Sequence, residues 1–187
     1  MYLNYKNIIL LIILFFYPSA KSAENIFLYK GTFSRTIKIQ ELNKFNETKK
    51  PSNKLKSLMK ITNLDDKDLH NFLSYKIEVP LKTSSRLMNS KIGEVFLSRL
   101  SKIIYPNKVS NIKTSIKAIR SGVILSSYKN SESINLIDFF KEYPNKNIAI
   151  DLNALNKALK KTESLKELID FYSNSPFQKL KDGRSST

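Results

Sequence analysis

The apolar residues of this chain change period twice, and that change limits the possible fold more than any other feature. Ile26 and Leu28 share one phase of a short extended run ending at Tyr29, and Gly31 follows at a turn. Phe33, Arg35, Ile37 and Ile39 then alternate with Ser34, Thr36 and Lys38, the period-two pattern of a half-buried strand. The two runs read as a β-hairpin with a short glycine-containing loop. From Glu41 the spacing turns helical: Leu42 and Phe45 stand three apart, and a helix is expected from near Gln40. Alternation returns at Asn147 to Leu152, where Ile148, Ile150 and Leu152 share a phase. A strand must cover its apolar phase, and the intervening helices supply the cover. The expected fold is mainly α, of the α+β kind. It is a compact multi-helix domain with a small hairpin or three-stranded sheet formed by the N-terminal and C-terminal parts of the domain. At the coarsest level the chain reads as all-α.

Between the two alternating regions the helices follow one another closely. Ser52 is placed to cap a helix carrying Leu55, Leu58 and Met59. Asp65 is the N-cap of the next, with Leu64 and Leu69 as a hydrophobic staple and Phe72 and Leu73 extending the stripe. Ile77 to Pro80 is extended, because a residue before proline avoids the helical region. Thr83 or Ser84 opens a short helix through Met88. Ile92, Val95, Phe96, Leu100, Ile103 and Ile104 then recur at helical spacing until Tyr105-Pro106-Asn107. Ile112, Ile116, Ile119 and Val123 mark a helix reaching about Tyr128. Gly122 lies inside it at a cost of about 1 kcal/mol against alanine, which implies a close neighbouring backbone. Ser131 or Ser133 caps a helix through Ile134, Ile137 and Phe140, and Tyr143-Pro144 stops it. Leu155 and Leu159, then Leu165, Leu168 and Ile169, continue as one or two helices.

The flanks are not core material. Lys6 precedes an apolar run from Ile8 to Tyr17, Pro18 breaks it, and small residues Ala20, Ser22 and Ala23 follow. This is the pattern of a secretory signal peptide over residues 1–22, with cleavage after Ser22 or Ala23. The alternative is a retained anchor, but a spanning helix needs roughly 20 apolar residues. A domain over 24–160 and a C-terminal helix with polar tail over 161–187 complete the expected organisation. Cysteine is absent, so thiol catalysis and cysteine metal ligation are excluded and stability rests on packing. The net charge of +16 comes from 27 Lys and only 5 Arg, scattered without a basic block. Nucleic-acid readers favour the planar Arg fork, so no nucleic-acid partner is expected. An anionic membrane surface remains a candidate partner, because scattered lysines still create a positive field.

Catalytic signatures are sparse. The nucleophile elbow of an α/β-hydrolase needs two glycines four apart, and Gly31, Gly93, Gly122 and Gly183 include no such pair. The single histidine, His70, lies in an expected helix without a serine signature beside it. The pattern S-x-x-K occurs at Ser57–Lys60, Ser110–Lys113 and Ser126–Lys129, but 23 serines and 27 lysines make chance matches common. Asp65, Asp66, Asp68 and His70 form the one polar cluster. As a metal site, Asp66 and His70 would stand one turn apart. As a helix start, the carboxylates would meet the positive end of the dipole, and this second reading fits better. Phe139, Phe140 and Tyr143 are expected in the core, with one of the paired phenylalanines a candidate for exposure. No catalytic, cofactor-binding or metal residue is assigned, and no cofactor is expected.

Tyr29-Lys30-Gly31-Thr32-Phe33, the run Ser34 to Ile39, and Glu41-Leu42 with Phe45 carry a resemblance. So do Leu55 and Leu58, the run Ile77 to Leu87, Ile92-Gly93-Glu94 with Leu97, and Ala118-Ile119-Arg120. Asn135-Leu136, Phe139, Tyr143-Pro144 and Ile148 to Leu152 complete it. In order and spacing they resemble a cyanobacterial domain of unknown function. That domain typically stands N-terminal to an α/β-hydrolase domain, behind a signal peptide. Two departures matter. The family often has a glycine where the first helix ends, and this chain has Thr48-Lys49-Lys50. After Leu159 too few residues follow for a doubly wound sheet, so the expectation is the accessory domain without its hydrolase. The resemblance implies an exported, non-catalytic domain in the periplasm or thylakoid lumen. It would bind a separate hydrolase, another exported protein, or a hydrolase substrate. The alternative is a lipid-surface module, and a hydrolase in its own right ranks third.

Overall fold

The computed structural model describes residues 22–161, except 63 and 110. Nearly all of the expected signal segment lies outside the described residues, as do the 162–187 tail and Leu165, Leu168 and Ile169. Among the described residues no helix is long and apolar enough to cross a membrane.

The hairpin forms as its alternation dictates. β1 (Asn25–Lys30) and β2 (Phe33–Lys38) pair antiparallel from Asn25↔Lys38 to Lys30↔Phe33, across a turn where Gly31 takes φ 61°. That positive φ is the conformation glycine adopts without a Cβ penalty. α1 (Ile39–Thr48) starts at the residue after β2 and buries Ile39, Leu42 and Phe45. α2 (Asn53–Thr62) buries Leu55, Leu58 and Met59, and the Ser52 hydroxyl accepts from the Leu55 N–H at 3.1 Å. α3 (Asp66–Ser74) is capped by Asp65.

β3 (Ile77–Glu78) leads through Pro80 into α4 (Leu81–Met88), which starts earlier than Thr83 or Ser84 would place it. Pro80 supplies the extended entry, and Ser84 is buried within the helix with its hydroxyl on the Leu81 carbonyl. α5 (Lys91–Leu100) is followed by β4 (Ile104–Pro106), so the single helix expected through Ile104 is two elements. Pro106 has no N–H for a helix and restricts Tyr105 to extended geometry. α6 (Ile112–Lys129) is the longest helix among the described residues. β5 (Ser133–Ile134) occupies the stretch expected to open the next helix, and Asn135 rather than Ser131 or Ser133 caps α7 (Leu136–Glu142). Ser131 and Glu132 both have positive φ, which a helix entry would not permit. β6 (Asn147–Asp151) and α8 (Leu152–Lys161) complete the described chain.

The main sheet has the order β2-β1-β6-β4, and a second sheet pairs β3 with β5. β1 and β6 are parallel, while β4 and β2 join antiparallel. The fold is therefore α+β, and the all-α description does not hold. The expected third strand is present, and β4 adds a fourth. Ile26, Ile37 and Ile148 are in register on one sheet face and enter the same core cluster as Phe45, Leu73, Leu97 and Ile119 from the helices. α6 contacts α4, α5, α7 and β4, which makes it the element tying the helices to the sheet. A Cβ on Gly122 would lie 3.0 Å from the Phe139 ring and 3.6 Å from the Phe139 carbonyl oxygen, so a side chain more than a backbone explains that glycine.

Candidate functional site

The helix-facing row of the hairpin runs past the end of the core, and a groove forms there. Register places Leu28 opposite Arg35 and Lys30 opposite Phe33. With Ser34, Leu58 and Ile61 of α2 and Leu152 of α8, they line an open groove of about 280 Å³. That is near the small end of ligand-sized concavities, about 300–1,000 Å³. Its floor is apolar. Its rim carries Lys30 and Arg35, and no acid appears among the described lining residues. The Lys30 ammonium sits 3.5 Å from the Ile61 carbonyl oxygen, near the negative end of α2. Phe33 is 76% exposed and Ile61 39%. The alternation expected Phe33 to be half-buried, but the hairpin tip extends beyond the helices that would cover it.

A wider hollow of about 580 Å³ lies between α2 and the start of α3, lined by Lys56, Met59, Lys60, Leu64, Asp65, Asp66 and Lys67. It contains part of the acidic cluster seen in the sequence. Asp65 accepts from the Asp68 N–H at 2.7 Å, which is the capping geometry. His70 instead packs edge-on against Phe45, with centroids 6.4 Å apart. Its Nδ1 is buried without a hydrogen-bond partner. Among the described residues no group of three or more His, Asp or Glu is placed to hold a metal ion.

The three S-x-x-K pairs fare differently. Ser57 and Lys60 are both exposed on α2, and Ser110 lies outside the described residues. The Ser126 hydroxyl is buried without a partner, while Lys129 is 2.7 Å from the Glu142 carboxylate. Lys129 thus pairs with Glu142 and makes no hydrogen bond to the Ser126 hydroxyl. Phe139, Phe140 and Tyr143 are all buried, with Phe139 5.6 Å from Phe140 and 5.7 Å from Tyr143 between centroids. All three belong to the core, and neither phenylalanine is exposed. The Tyr143 hydroxyl has no partner, and burial pushes its pKa well above the ordinary phenol range.

The outward face of the sheet holds a cluster that the apolar pattern did not single out. The Tyr29 hydroxyl donates to Asn107 Oδ1 at 2.8 Å. Because β6 stands between β1 and β4, the Tyr29 ring must cross β6 to do so. Burial raises the Tyr105 pKa, and the Asp151 carboxylate and the Tyr29 phenol raise it further. A raised phenol is a hydrogen-bond donor, not a base. Asp151 Oδ1 accepts from the N–H groups of Asn153 and Ala154, capping α8. The available signal was strand phase: Tyr29 and Asp151 are register partners in the row opposite to Ile26 and Ile148.

Fold and surface define a small α+β domain, with helices packed on one mixed sheet and an apolar, cation-rimmed groove at the hairpin. Across residues 22–151 the chain matches the family described as alpha/beta hydrolase of unknown function (DUF1400), and it belongs to that family. The matched region ends at the last residue of β6. No curated protein and no solved structure matches the chain.

Proposed function

We propose that this chain is an exported accessory domain of an α/β-hydrolase system. It acts by binding a partner hydrolase or that hydrolase's substrate, not by breaking bonds itself. The observation behind this reading is the setting of His70. It is the chain's one histidine, and hydrolase catalysis of the triad kind needs it as a base held against a nucleophile and oriented by a third group. Its ring lies against Phe45 and its Nδ1 has no partner. Family membership supplies the hydrolase context, and the groove supplies a surface for a bound group.

The test uses the full chain and aryl esters of short and medium acyl chains. Alone, it is expected to give no turnover above buffer. Added to an α/β-hydrolase from the same organism, it is expected to lower that enzyme's KM for acyl esters several-fold. Turnover by the chain alone that disappears in His70→Gln, with an unchanged melting curve, would overturn the reading.

A further inference from the structure

We propose that the hairpin tip and the end of α2 form an attachment surface for an anionic lipid membrane. The proposal stands on the groove and its charges, and it survives if the accessory reading fails.

Peripheral attachment to a bilayer needs two signals, an apolar group that enters the acyl region and positive charge that meets the headgroups. Both are at the hairpin. Phe33 projects into water from the closing pair of the turn, and Ile61 lies beside it on α2. Leu28, Leu58 and Leu152 continue the apolar surface inward. Lys30 and Arg35 stand on the groove's rim, and Lys60 is exposed next to Ile61. Asp65 and Asp66 line the neighbouring hollow, where Lys56, Lys60 and Lys67 accompany them.

Charge type favours lipid over a shaped acidic protein. The basic groups are 27 Lys against 5 Arg, dispersed through a chain of net charge +16. Lysine is a compact, hydrated point charge without the bidentate fork that fixes a specific carboxylate. Dispersed lysines suit a diffuse negative surface, where each basic group near the headgroups contributes about 1 kcal/mol. An aromatic wedge among such charges needs a soft apolar layer below the charged plane, and a bilayer provides one.

Because the chain contains no tryptophan, Phe33→Trp places a single reporter at the tip. Full-length protein is mixed with vesicles of phosphatidylcholine alone or with added phosphatidylglycerol. We expect a blue shift of F33W emission with the anionic vesicles only, reversed when salt is raised enough to shorten the screening length. Lys30→Gln and Arg35→Gln should each weaken partitioning about fivefold. Phe33→Ser should weaken it further with an unchanged melting curve, since the ring is mostly in water. Attachment through the apolar run Ile8 to Tyr17 predicts the opposite: binding to neutral vesicles as well, indifferent to all three substitutions. That outcome would sink the proposal. So would an unshifted F33W emission at low salt, or polyglutamate competing as strongly as anionic vesicles, which would point to an acidic protein.

Discussion

At the scale of single residues, two of the local costs among the described residues are ones that substitution can expose. Lys49 closes α1 in the left-handed conformation, φ 57°, with its N–H on the Phe45 carbonyl at 2.7 Å. A non-glycine residue there costs about 1–2 kcal/mol, partly offset by glycine's larger unfolded-state entropy. Lys49→Gly is therefore expected to stabilise the protein by about 0.5–1 kcal/mol, read from urea unfolding midpoints at constant m. The second cost is the Tyr143 hydroxyl, buried without a partner. Tyr143→Phe removes a desolvated polar group and should be neutral or stabilising by about 1 kcal/mol at pH 8. The pH dependence has a definite sign. The folded phenol is raised above the unfolded value of about 10. Above that pH the unfolded chain releases a proton the folded chain keeps, so stability falls, by about 1.4 kcal/mol per pH unit. The variant should lose that share of the alkaline decline. Comparing wild type with variant at pH 8 and 11 cancels the lysine titrations, and parallel declines would refute the assignment.

At the scale of elements, α5 separates what the sequence made legible from what it did not. Its apolar stripe at Ile92, Val95, Phe96 and Leu100 reads as the buried face; Phe96 and Leu100 do pack against the core, yet Ile92 is 70% and Val95 55% exposed while Gly93 and Leu97 are buried. The reason is a close approach: a Cβ on Gly93 would lie 1.9 Å from the Leu87 carbonyl oxygen. Contact with α4 thus sets the rotation of α5, and hydrophobic periodicity carries no information about it. Leu97→Ala should cost about 2–5 kcal/mol. Ile92→Ser and Val95→Ser should stay within about 0.5 kcal/mol of wild type. Thermal and urea unfolding of the three variants decide the matter, and a large loss in Ile92→Ser would mean the stripe is buried after all. Elements with local causes were readable: the hairpin from its alternation, α2 and α3 from Ser52 and Asp65, β6 from Ile148 and Ile150. The extended geometry of β3 was readable from Pro80, but its pairing with β5 was not, and β4 and β5, of three and two residues, were missed because non-local pairing defines them. The groove was hidden for the same reason. Its lining comes from residues 28–35, 58–61 and 152, and only β1–β2 register and the packing of α2 and α8 bring them together.

At the scale of the whole molecule, the sheet is closed late by the chain. β6 begins at Asn147 yet lies between β1 and β4, in register with Asn25 through Tyr29 on one side and Ile104 through Pro106 on the other. Its parallel pairing with β1 joins segments about as far apart as the domain allows, with Asn25 Nδ2 donating to Asn147 Oδ1 at 3.1 Å across that seam. Ile148 and Ala149 on this strand are both fully buried. Loop-closure entropy must be met before such contacts give a return, so the helices between cannot complete the core until β6 docks. One cooperative unit should result, with the β3–β5 ladder as a weaker appendage because it holds only two residue pairs. Native-state hydrogen exchange should place the amides of β1 and β6 at the global unfolding free energy and those of β3 and β5 well below it. Ile148→Asp puts an unpaired charge at the centre of the sheet and should abolish the cooperative transition, helices included, by circular dichroism. If the helices of Ile148→Asp kept a sharp melt of their own, the sheet would be an addition to an independent bundle rather than the element that completes its core.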